Sequence, residues 1–287
     1  MLTDIYNHYK MSTTAIVNAS NATIAQLSVT EAKRNKQGGM GVQFKYDNQN
    51  FSMRLPRMNF PGGILETKNE KGDVSYSLIG SLKGCDPFGK VRSDGSDDMM
   101  KFYNFLLDLQ EKLIQAATEN SSKWFGKKRS EESIRDSFNS RSILSVSSDK
   151  VGNEYIPNGK YPPSFKVKIP VYEGRVAMDA VDASTKPVYL SVDSLRSVFP
   201  KGVAANMIVS GSVYIIGQSF GITWRVSMAQ VFPQTRLTAA SAFEAVPDEE
   251  EEDSAPAEET QVEVPVTESA PAEPPAPNRK RRVAAPV

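Results

Sequence analysis

From Ser164 to Tyr172 the chain reads SFKVKIPVY. Phe165, Val167 and Ile169 alternate with Lys166 and Lys168, the two-residue period of a strand with one face buried and one in water. Much of the chain repeats this habit. TTAIVNA and TIAQLSV are rich in β-formers, and GVQFKY and NFSMRL follow across the turn DNQN. SYSLIGSL alternates so that Tyr76, Leu78 and Gly80 share a face. PVYLSV, NMIVSGSVYIIG and FGITWRVSMAQVF predict three more strands, the last two a hairpin turning at Gly217, Gln218 and Ser219.

One stretch changes period. From Met99 to Ala117 the apolar residues Phe102, Phe105, Leu106, Leu109, Leu113 and Ile114 recur at helical spacing. Ser96 is the expected N-cap, with Asp97 and Asp98 in the first turn, where the helix dipole favours anions. A second helix is expected from Ser130, with Glu131 and Glu132 in its first turn and Ile134 and Phe138 four apart. The segment KWFGKKR, residues 123–129, then joins the two helices, and Gly126 can stop the first. The sum is a mainly β fold with helices, and a small closed or nearly closed antiparallel barrel fits because closure removes exposed edges.

Composition divides the chain. From Val246 onward it is acidic, rich in Pro and Ala and without aromatic rings, so it cannot bury enough surface to offset the entropy of ordering. The expected organisation is a disordered N-terminus over 1–11 and a globular domain over 12–238 with a helical insertion at about 96–140. A disordered acidic tail with a basic tip follows over 239–287. Met11 is an alternative start. The whole chain has 34 basic and 34 acidic residues. Eleven of the acids lie in 248–273 and four of the bases at 279–282, which leaves residues 1–247 with a net charge of about +7. A basic body favours polyanionic partners.

Catalytic patterns are weak. GQSFG, residues 217–221, matches the G-x-S-x-G elbow, but that serine needs a histidine downstream and the only one is His8. A strand-connecting turn is the plainer reading. No phosphate-binding G-x-x-x-x-G-K-[ST] occurs. One cysteine, Cys85, and one histidine leave no usual zinc ligand set and no intrachain disulfide. No cofactor is expected. No apolar run approaches the roughly 20 residues of a membrane span, and the N-terminus lacks the apolar core of a signal peptide, so an intracellular protein is expected.

The chemistry that remains is binding. Single-stranded nucleic acid is held by a cationic groove for its backbone and by aromatic faces on which bases stack. Candidates for both devices are Trp124, Phe125, Lys127, Lys128 and Arg129 in KWFGKKR, then Tyr161, Lys166 and Lys168, then Arg54 and Arg57, then Trp224 and Arg225. Each has a plainer use: the rings as core, the lysines as a solvated strand face. The acidic run Asp248, Glu249, Glu250, Glu251, Glu252 and Asp253 could compete with phosphate for a basic groove, dock replication proteins, or simply keep the chain soluble. NRKRR at 278–282 reads as a nuclear localisation signal or a further phosphate contact.

The run NSSKWFGKKRSEESIRDSF after the long helix, then YPPSFKVKIP, then SFGITWRVSMAQVF resembles the single-stranded DNA-binding proteins of large nucleocytoplasmic DNA viruses. These are considered distant relatives of the acidic-tailed single-stranded DNA-binding proteins of short-tailed phages. The resemblance spans residues 70–232, and its clearest mark is the order W-F-x-K-K-x-S from Trp124 to Ser130. It implies an OB-fold, a five-stranded barrel with long insertions. It also implies a non-enzymatic role in viral DNA replication, recombination or repair, protecting exposed strands in the host nucleus or a viral replication compartment. Trp124, Phe125, Lys127 and Lys128 match the family's signature segment. The tail departs from the phage pattern, since its acids are internal and its end is basic. RNA fits the same residues as DNA, homo-oligomerisation is open, and a non-catalytic virion structural or scaffold protein is the rival reading.

Overall fold

The computed structural model describes residues 14–34, 38–70 and 72–233. The N-terminal segment 1–11, the tail with its acids at 248–253 and the basic tip lie outside the described residues. In chain order the elements begin with β1 (Thr14–Asn18), β2 (Leu27–Val29), β3 (Lys33–Arg34), β4 (Met40–Tyr46) and β5 (Gln49–Arg54). β6 (Met58–Phe60), β7 (Ile64–Lys68) and β8 (Val74–Ser81) lead to three helices, α1 (Asp98–Glu119), α2 (Ser121–Phe125) and α3 (Glu131–Ser137). Then come β9 (Ser148–Val151), β10 (Glu154–Pro157), β11 (Ser164–Ile169), β12 (Val171–Tyr172), β13 (Arg175–Val176), β14 (Asp179–Val181) and β15 (Pro187–Val188). The short helix α4 (Leu195–Val198) precedes two long strands, β16 (Val203–Ile216) and β17 (Ser219–Phe232).

Five strands close a ring. β6 meets β8 at Asn59 and Ser81, and β8 lies antiparallel to β11 with Leu78 opposite Val167. β11 runs parallel to β17 where Lys168 faces Arg225. β17 pairs with β16 along their full length, and β16 returns to β6 with Ala204 opposite Asn59. One parallel contact in an otherwise antiparallel ring gives the OB-like barrel, which leaves no free edge among its five members. β16 also carries β4 and β5, so the sheet extends beyond the barrel.

Alternation dictates what fills it. Phe165, Val167 and Ile169 from β11 and Leu78 from β8 point inward with Phe220, Ile222, Trp224 and Val226 from β17, all buried. Helix α1 lays Phe102, Phe105, Leu106, Leu109 and Leu113 against this core, with the Phe102 ring edge-on to Phe165 at 5.1 Å. Burying a side chain of this size stabilises by about 1.5–3 kcal/mol.

Three local expectations are corrected. The N-cap of α1 is Asp97, not Ser96: its side chain accepts a hydrogen bond from the Met100 amide at 2.8 Å. TIAQLSV yields only β2, because Ile24–Gln26 tighten into a 3-10 turn. PVYLSV yields only β15, because Ser191 and Ser194 exchange side chain–backbone bonds of 2.9 and 3.1 Å that close a turn toward α4. Other signals hold. Asp47 and Asn48 sit at φ 45° and 64°, the left-handed pair that a two-residue hairpin between β4 and β5 requires. Ser130 caps α3.

Candidate nucleic-acid interface

The barrel's outer face at β8, β11 and β17 collects one kind of charge. The alternation that buries Phe165, Val167 and Ile169 drives Lys166 and Lys168 to the opposite side, where both are exposed. Register then supplies their neighbours. Lys166 lies opposite Ile79, and Lys168 lies between Ser77 of β8 and Arg225 of β17. Arg225 donates to Ser212 Oγ of β16 at 3.0 Å. None of the ion pairs among the described residues involves Lys166, Lys168 or Arg225. Desolvation first, then the positive charges of Arg225 and Lys166, hold the Lys168 pKa below the usual lysine range. Among the described residues the three cations lie side by side with no ion-pair partner, and their mutual repulsion disfavours the charged form of Lys168.

Beside them lies an apolar groove of about 570 Å³, lined by Leu65 of β7, Ile79 of β8, Val146, Pro162 and Tyr161. Tyr161 is 68% exposed. Register places Lys166, Lys168 and Arg225 on one outer face, and the groove edged by Tyr161 adjoins it at Ile79, opposite Lys166. Ile79 and Leu65 were not among the sequence candidates, although the alternation of SYSLIGSL already places Ile79 on the face opposite Leu78. Tyr172, just past β11, is 60% exposed and pairs in register with Arg175 in the separate β12–β13 ribbon.

The remaining candidates go elsewhere. Trp124 and Phe125 are buried, with ring centroids 6.1 and 5.7 Å from that of Phe220. α2 seats them on the start of β17, and Gly126 at φ 77° ends the helix there. Trp224 is 1% exposed, its ring 6.4 Å from Phe44 and 5.4 Å from Phe165. Trp224 offers no face to a base, and Trp124 and Phe125, 4% and 8% exposed, reach the surface only where they line a cleft of about 560 Å³ with Arg34 and Lys123. Arg129 is committed as well. Its guanidinium donates to Ser133 and Ser137 of α3 and to the Gln218 carbonyl at 3.1 Å, which clamps the α2–α3 linker to the β16–β17 turn. Lys127 and Lys128 stay exposed on that linker. Arg57 stacks on Phe232 at 3.7 Å, and Arg54 lines a separate cleft of about 340 Å³ that also contains Asp179. The G-x-S-x-G match is the hairpin turn itself, with Ser219 opening β17. Burial pushes the Cys85 thiol up to about 11, far from a reactive thiolate.

Fold and site together define a small β-barrel with a cationic, aromatic-edged outer face. The chain belongs to the family of unknown function DUF5871, whose profile matches residues 94–250. No curated protein matches it. Among solved structures, it is similar to the single-stranded DNA-binding protein from bacteriophage Enc34 in complex with ssDNA, at 9% identity and a TM-score of 0.38, over 73% of this chain and 94% of that one. It is also similar to gp2.5, a single-stranded DNA-binding protein encoded by bacteriophage T7, at 9% identity and a TM-score of 0.36, over 69% and 96%. Both likenesses are too distant to carry a functional argument.

Proposed function

We propose that this protein binds single-stranded DNA, without catalysis, on the outer face of β8, β11 and β17. The observation that carries the proposal is the trio Lys166, Lys168 and Arg225, in no ion pair among the described residues, beside an apolar groove edged by Tyr161. The cations match phosphates, and the ring and groove match unpaired bases, which a duplex keeps stacked inside itself. Salt dependence and tolerance of sequence follow. A role in protecting exposed strands during viral replication, recombination or repair, in the host nucleus or a viral replication compartment, rests on the sequence resemblance over residues 70–232. The acidic tail as a competitor for the same face rests on its charge.

The test is fluorescence anisotropy with labelled oligo-dT of about 30 nucleotides, longer than the roughly 4–16 that one OB fold occupies. The full chain should bind it at submicromolar concentration at low salt and prefer it to duplex. Absence of binding at low salt, together with a stable oligomer in light scattering, would replace this reading with a structural or scaffold protein.

A further inference from the structure

The hairpin of β9 and β10 stands apart from the barrel sheet as a two-stranded arm, and nearly all of it is exposed. Its register divides its side chains. Asp149 and Val151 pair with Ile156 and Glu154 on one face, and Lys150 pairs with Tyr155 on the other. The two faces are treated differently. Asp149 is paired with Lys160, whose Nζ lies 3.2 Å away, and accepts a hydrogen bond from the Asn158 side-chain amide at 2.8 Å. On the other face the Arg141 guanidinium lies 4.9 Å from the Tyr155 ring centroid, and Tyr155 remains 56% exposed. An exposed ring thus has Arg141 over it and Lys150 as its register partner across the hairpin, an aromatic ring with cations nearby, the pair of devices that grip a base and its phosphate.

The arm is joined to the groove. Its base is fixed by the Asn158 amide donating to the Ser147 carbonyl at 2.9 Å. Val146 and Ser147 before the arm and Tyr161 after it all line the groove described above. A strand lying in that groove meets the foot of the hairpin where it leaves.

We propose that the β9–β10 hairpin is a second station for the single strand, with Tyr155 stacking a base and Lys150 and Arg141 taking flanking phosphates. This rests on the reading of the β8–β11–β17 face as the primary site. The test uses the full chain and the same oligo-dT of about 30 nucleotides. Tyr155→Ala should weaken binding roughly 5- to 150-fold with an unchanged salt slope, because a stacked ring neutralises no phosphate. Tyr155→Phe should restore affinity, and Tyr155→Leu should not. Lys150→Ala should flatten the salt slope by about 0.7. The exposure of the hairpin predicts unchanged melting temperatures, so lost affinity would not be lost fold.

Wild-type affinity in Tyr155→Ala, with affinity lost in Lys168→Met, would overturn the hairpin station and leave the primary face standing. Wild-type affinity in both would remove both. A Tyr155→Ala protein with unchanged affinity but altered mass in light scattering would make the arm a protein-docking surface and overturn the proposal.

Discussion

In the proposed function, Lys168 serves binding at the expense of the fold. Its depressed pKa means that the native state holds fewer protons than the unfolded chain between the lowered native value and the ordinary lysine value. Stability from this group therefore rises with pH through that window and is at its worst below it, where Lys168 is charged beside Arg225 and Lys166. A bound phosphate reverses the balance, since it favours the charged form. Lys168→Met should raise the melting temperature at pH 7, weaken oligo-dT binding, and remove the alkaline loss of affinity that begins at the depressed pKa. Thermal unfolding and anisotropy across a pH series check all three. A variant that is less stable than wild type would show that the ammonium is satisfied in the fold. The strand pattern made this residue legible, because SFKVKI puts both lysines on one face. It could not show Arg225 beside them, because that neighbour comes from a parallel pairing more than fifty residues away in sequence.

At the scale of elements, the alternating strands and the long amphipathic helix were legible because each element's period is local. Trp224 is instructive: Phe220, Ile222 and Trp224 share one phase of β17, and Thr223 and Arg225 share the other, so the pattern itself separates the ring from the cation. KWFGKKR was not legible in this way. Trp124 and Phe125 are neighbours in sequence, and both are buried because the short helix α2 presses against Phe220, a contact no local pattern encodes. The segment is a joint of the fold, fastened by Arg129 to α3 and to the β16–β17 turn. Trp124→Ala should therefore destabilise the protein by about 3–5 kcal/mol, as truncation of a buried ring does. The fraction that remains folded should keep wild-type affinity. Urea unfolding with anisotropy below the transition separates the effects, and a loss of affinity in stably folded protein would return the segment to the interface.

At the scale of the molecule, closure of five strands turns one side of each into core and leaves the other as a continuous outer face. Cations from β11 and β17, hydroxyls from β8 and β16, and the groove beside Tyr161 meet there although the sequence scatters them from residue 65 to residue 225. The central claim is that this face carries the phosphates of a single strand. It is tested most directly by the salt dependence of oligo-dT binding for the wild-type chain and for Lys166→Ala/Lys168→Met/Arg225→Ala. Each phosphate neutralised on a single strand contributes a slope of about −0.7 in log K against log salt, so the triple variant should lose affinity and flatten the slope by about 2. A folded triple variant that binds with wild-type affinity and slope would contradict the account and place the strand elsewhere on the protein.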